Sequence, residues 1–118
     1  MTPNTAHISA TAHFPTARAS RYLTALCHHF ARKVAATCDE TSGTVQFPFG
    51  QCRMTADAHS LHLNVTAPDH RRCAQTIEIV TNHLERFAFR ENPDLTWQMD
   101  DPVLGVRQNA IPTQETSA

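Results

Sequence analysis

The apolar residues Cys73, Ile77, Val80, Leu84 and Phe87 recur at steps of four, three, four and three, the spacing that aligns one stripe along an α-helix. Such a helix gains most of its stability by packing its apolar stripe, so another part of the chain must cover it. The preceding stretch supplies that cover in a different period. Val45, Phe47 and Phe49, then Cys52, Met54 and Ala56, then Leu61, Leu63 and Val65 alternate with mostly polar neighbours, placing the three sets on one face of adjacent strands. Glu40-Thr41-Ser42-Gly43, Gly50 and Asp57-Ala58-His59-Ser60 supply the turns. The pattern is an antiparallel meander with one wet face.

The flanks extend it. His7 to His13 alternates loosely before the Pro15 break and reads as a strand. Thr16 is placed to cap a helix over 17–33, on which Tyr22, Leu23, Leu26, Cys27 and Phe30 form the buried stripe. Arg32 and Lys33 suit the negative end of its dipole. Ala36 and Cys38 begin the period-two region. Pro68 starts the second helix, expected to run to Arg90 ahead of Asn92-Pro93, and Leu95-Thr96-Trp97 reads as a last short strand or packed tail. The order β-α-β-β-β-β-α hides every stripe in an α+β, two-layer fold: an antiparallel four- to five-stranded sheet with two helices on one face. Residues 9–98 form the single domain. Residues 1–8 are expected to be a flexible N-terminal tail and 99–118 a polar, disordered C-terminal tail.

Composition bounds the function. A chain of 118 residues with 41% hydrophobic and 18% charged residues can bury one core. A net charge of −1 argues against a nucleic-acid or anionic-membrane partner. No apolar run approaches the roughly 20 residues of a spanning helix, and the opening Met1-Thr2-Pro3-Asn4 has no signal-peptide character, so a cytoplasmic location is expected. Cys27, Cys38, Cys52 and Cys73 form no C-x-x-C pair and read as reduced, packed thiols. No G-x-S-x-G elbow, Gly-rich phosphate loop or H-E-x-x-H pattern occurs, so no catalytic residue is assigned.

Two stripes border the apolar ones. On the first helix Tyr22, Leu26, His29 and Lys33 align; on the second, Ile79, His83, Arg86 and Arg90 do the same. If the helices lie side by side, His29, Lys33, His83, Arg86 and Arg90 line one groove, with Asp39 and Glu40 near its end. Imidazoles ligate iron, zinc or copper, and guanidinium forks grip carboxylates, so the set suits a small anionic ligand, an iron chelate or a metal, with His29 and His83 as metal ligands. The alternative is that both histidines cap the core and bind nothing. His28 projects elsewhere, and His7, His13, His59, His62 and His70 read as scattered surface or structural residues. Phe87, Phe89 and Trp97 cannot share one helix side, so part of this group is expected at the surface or in a dimer contact.

The segments His29-Phe30-Ala31-Arg32-Lys33, Asp39-Glu40-Thr41 with Gly43, Phe47-Pro48-Phe49-Gly50 with Cys52, and 83–91 (His-Leu-Glu-Arg-Phe-Ala-Phe-Arg-Glu) with Leu95 and Trp97 resemble the small bacterial domain of unknown function 2218 (DUF2218). The resemblance spans about 9–98. Related domains occur joined to siderophore-interacting ferric reductases. It therefore implies a noncatalytic accessory module in iron or siderophore handling, with iron or another transition metal as a candidate cofactor and a ferric reductase as a candidate partner. The competing expectation is a protein-interaction or self-assembly domain, a homodimer with no ligand of its own.

Overall fold

Strand β1 (Ile8–Pro15) does not pair with its sequence neighbours; it lies antiparallel to β5 (Ser60–Ala67), with Ile8 opposite Ala67 and Pro15 opposite Ser60. The pairing joins two runs with matching alternation. Ala10, Ala12 and Phe14 on one strand and Leu61, Leu63 and Val65 on the other are buried on one face. The computed structural model describes residues 8–101 and 106–108. After β1 come α1 (Ala19–Phe30), β2 (Ala35–Cys38), β3 (Ser42–Phe47), β4 (Gly50–Ala56), β5, α2 (His70–Phe87), a 3-10 turn (Phe89–Glu91), β6 (Gln98–Asp101) and β7 (Val106–Gln108). Among the described residues the strands form one antiparallel sheet in the order β2-β3-β4-β5-β1-β6-β7. The two-layer α+β fold is present, with both helices on one side of a sheet of seven strands, where four to five were expected. The added strand β7, and all of β6 after Gln98, lie in the stretch expected to be a C-terminal tail. Of the two expected tails, 1–7, 102–105 and 109–118 lie outside the described residues.

Several helix ends differ from the sequence expectation. Thr16 does not cap α1 directly; its hydroxyl accepts from the Arg18 amide at 3.0 Å, and the helix begins at Ala19. Asp69, one residue after Pro68, caps α2 by accepting from the Arg72 amide at 2.8 Å. That helix stops at Phe87, not Arg90, because Ala88 leaves helical geometry (φ −110°, ψ 28°). The 3-10 turn that follows closes on Asn92 in the left-handed region (φ 50°), which asparagine tolerates better than most residues. Glu91 in this turn accepts from the Tyr22 hydroxyl and pairs with Arg18 at 3.3 Å, tying the start of α1 to the end of α2. Donation by Tyr22 and by Thr16 holds the Glu91 carboxyl below its usual range.

The core lies between the helices and the sheet. Leu23, Leu26 and Cys27 of α1 and Cys73, Val80 and Leu84 of α2 are fully buried against Val45, Cys52, Met54, Leu63 and Val65. Burial pushes the thiols of Cys27 and Cys52 up to about 12 and that of Cys73 to about 11, so all three stay protonated and unreactive near neutrality. Trp97 is buried too, its indole donating to the Thr81 hydroxyl at 3.1 Å. Pro48 and Phe49 form the two-residue turn between β3 and β4, with Phe47 opposite Gly50. Pro48 therefore belongs to a hairpin turn. A side chain on Gly50 would strike the buried Thr76 hydroxyl of α2 and come within 3.0 Å of the Thr66 carbonyl. Glycine is what lets α2 close onto this corner of the sheet. Gly50→Ala should cost about 1–3 kcal/mol of stability through overpacking, read as a lower urea midpoint at unchanged m-value; a midpoint equal to wild type would show that the corner is loose.

Candidate functional site

α1 follows β1 and crosses the sheet toward β2 at the far edge, whereas α2 follows β5 and returns toward β6 beyond β1. The two helices therefore cover neighbouring halves of the sheet and touch, which brings the last turn of α1 beside the second half of α2. The imidazoles of His29 and His83 lie 4.7 Å apart, centroid to centroid, at 49°. The ring of Phe87 meets His29 edge-on at 5.7 Å, and that of Phe30 lies 4.8 Å from His83. Below them Phe30 meets Phe47 at 5.0 Å, and Phe49 stacks on Phe47 at 5.5 Å and 9°. The rings of Phe30, Phe47 and Phe49 floor an open groove of about 650 Å³, lined also by Pro48 and Ile79 and rimmed by Arg32 and Lys33.

The sequence-derived set is partly assembled here. His29, His83 and Lys33 line the groove. Arg86 is exposed and does not line it, but its charge acts on His29. Arg90 stands apart: α2 has ended before it, so the four-residue step from Arg86 no longer holds, and its guanidinium lies over the Phe89 ring at 5.7 Å. Asp39 and Glu40 are likewise not at the groove. Glu40 offers its carbonyl to the Ser20 hydroxyl at 2.7 Å, beside the first turn of α1, and the Asp39 carboxylate accepts the Thr41 and Ser42 amides at 2.9 Å each. Arg32 and the aromatic floor are additions that helical spacing did not indicate, because Arg32 follows the end of α1 and Phe47 and Phe49 come from the β3–β4 hairpin.

The electrostatics of the groove are one-sided. No carboxylate lines it among the described residues. Burial first, then the neighbouring His83 and the charges of Arg32, Arg86 and Lys33, hold His29 below its ordinary imidazole value. His83 Nδ1 lies 2.7 Å from the Ile79 carbonyl. A carbonyl only accepts, so Nδ1 donates, and in the neutral ring Nε2 keeps its lone pair. Two imidazoles are nevertheless few donors for a resident metal, since structural zinc takes four ligands. Among the described residues no group of three His, Cys, Asp or Glu side chains comes together as a metal site.

The histidines read as scattered include one pair that the sheet brings together. His13 of β1 sits opposite His62 of β5, and their rings stack at 5.0 Å and 13° on the face away from the helices. Nothing local in either segment signals this, because the contact exists only in the β1–β5 register.

The fold and groove define a two-layer α+β domain with an aromatic, cation-rimmed cleft where its two helices meet. The chain belongs to the family described as uncharacterized protein conserved in bacteria (DUF2218), whose model matches residues 11–98. The solution structure of PA4090 from Pseudomonas aeruginosa is similar, with 27% identity and a TM-score of 0.67 over 76% of this chain and 94% of that one. A comparison with curated proteins found no match. No helix among the described residues is long and apolar enough to cross a membrane.

Because the folded chain binds a proton at His29 less readily than the unfolded chain, His29 contributes stability that is complete above the unfolded imidazole value of about 6.5 and is lost as pH falls below it. Urea unfolding at about pH 7.5 and about pH 5.5 should show this loss, and His29→Gln should reduce it. An unaltered pH slope in the variant would show that His29 titrates freely.

Proposed function

We propose that the chain is a noncatalytic ligand-binding module whose helix groove takes a small anion with a flat, conjugated body. The observation that carries this reading is the pairing of an aromatic floor, formed by Phe30, Phe47 and Phe49, with a rim and wall of cationic or protonatable groups, Arg32, Lys33, His29 and His83, and no lining carboxylate among the described residues. Buried rings favour a planar apolar body, and unopposed positive charge favours an anion. A volume of about 650 Å³ falls in the size range of small-molecule pockets.

Because related domains occur joined to siderophore-interacting ferric reductases, an iron chelate is the ligand class to test first. With two imidazoles and no carboxylate, the groove is better suited to iron that arrives already coordinated than to bare iron. A ferric catecholate meets both requirements, since it carries negative charge on flat rings. In this role the domain holds a chelate for a reductase partner and performs no bond chemistry itself.

Thermal melts in ferric tris(catecholate), salicylate, ferric citrate and zinc sulfate separate the possibilities. The first two should raise the melting temperature, by the equivalent of about 2.7 kcal/mol at a hundredfold excess over Kd. His83→Ala and Lys33→Ala should diminish the rise, and zinc sulfate should not produce one. A melting temperature unmoved by every compound would remove the reading.

The second reading is self-assembly, and it rests on Phe89, a large apolar side chain left 67% exposed. Trp97, also considered for such a contact, is buried and cannot contribute. Sedimentation over a wide concentration range should then show a dimer that Phe89→Ser abolishes; a monomer throughout would leave the ligand reading alone.

A further inference from the structure

On the face of the sheet that carries no helix among the described residues, β1, β4 and β5 turn their polar alternates outward, and the segment leading into β6 forms a wall above them. A second groove of about 740 Å³ results, lined among others by Thr11, His13, Arg53, His62, Asn64 and Asp94. The sheet register assembles it. Arg53 and Thr11 both lie opposite Asn64, from either side, and His62 lies between His13 and Thr55. Asp94, Thr96 and Gln98 alternate with the half-buried Leu95 and the buried Trp97, so the wall presents polar side chains to the groove while its apolar ones anchor it.

One end of this groove is tied together by hydrogen bonds. The His62 Nε2 lies 2.9 Å from the Ser60 hydroxyl and 3.3 Å from the Asp57 carboxylate. Asp57 itself accepts the His59 and Ser60 amides at 2.8 Å each. The stacked His13 ring packs on the face of His62. Here His62, the Ser60 hydroxyl and the Asp57 carboxylate satisfy one another.

The remaining charges do not. Arg53 and Asp94 line the same groove, and among the described residues neither is within ion-pair distance of the other or of any other charged side chain. Two opposite, separately held charges in one polar groove call for a ligand that carries both complementary charges. We infer that the helix-free face of the sheet is a second binding site, for a small zwitterion of the amino-acid or dipeptide class, whose carboxylate meets Arg53 and whose ammonium meets Asp94. A guanidinium can take a carboxylate through two parallel hydrogen bonds, and the Thr11 and Thr96 hydroxyls and the Asn64 amide offer hydrogen bonds to the ligand backbone. The site lies across the sheet from the helix groove and shares no residue with it.

The test is a backbone-amide chemical-shift titration of the full chain with alanylalanine, N-acetyl-alanylalanine and alanylalanine amide, with free lysine and glutamate as single-residue probes. Alanylalanine or one of the free amino acids should shift amides of β1, β4, β5 and 94–98. Acetylating or amidating the dipeptide should weaken its binding by about tenfold, the effect of losing one charge-assisted contact. Arg53→Ala should remove discrimination against the amide, and Asp94→Asn discrimination against the acetylated form. Both positions are exposed, so the variants should fold, and His83→Ala should bind these probes like wild type. No shifts at millimolar probe, shifts confined to the helix groove, or equal affinity for the free and blocked dipeptides would each overturn the inference.

Discussion

The pairing of β1 with β5 governs the rest of the molecule. It seats the first strand inside the sheet, between β5 and β6, and so leaves β2 at one edge and opens the other side of β1 to β6. Because α1 must run from β1 to the far edge and α2 from β5 to the opposite one, the two helices are forced onto neighbouring halves of one face. Their contact follows from the strand order and needs no special attraction between them. Both grooves depend on that single register. One lies where the helices meet, and the other lies where His13 comes opposite His62 and Thr11 opposite Asn64.

Burial divides the two faces chemically. The helix side is apolar to the point that Cys27, Cys52 and Cys73 remain thiols, and its groove is charged only where α1 ends and the chain turns outward through Arg32 and Lys33. The open side presents mostly polar side chains, with opposite charges placed apart. The flat anion and the zwitterion proposed for the two faces rest on the same alternation that sorts side chains on every strand here. Family membership and the likeness to PA4090 from Pseudomonas aeruginosa establish the fold and the lineage; the ligand of either groove remains our proposal.

Legibility from sequence was uneven, and the pattern has a physical cause. The His29–His83 meeting could be anticipated because each histidine lies one or two turns along a helix from apolar residues whose burial is dictated by spacing. Arg90 was placed wrongly by the same logic, since a helix end depends on the geometry of Ala88, and one departure there rotates everything after it. Phe47 and Phe49 were visible as apolar residues, but their position beneath the histidines comes from the hairpin turn at Pro48 and Phe49 folding toward α1. β6 has no local signature, because Gln98 to Asp101 has no alternation of its own and is held as a strand by pairing with Thr11, Ala10 and Ser9.

Local periodicity, then, was sufficient to determine the two helices, the strands from β1 to β5, their apolar faces and the two-layer α+β class, because each of these is set by residues within a turn or two of one another. Tertiary structure decided which strand lies beside which, where α2 stops, and which distant side chains share a groove. Those outcomes depend on contacts between segments some fifty residues apart, such as Thr11 with Asn64 and His29 with His83, whose free energy has no signature in the short stretch of chain around either partner.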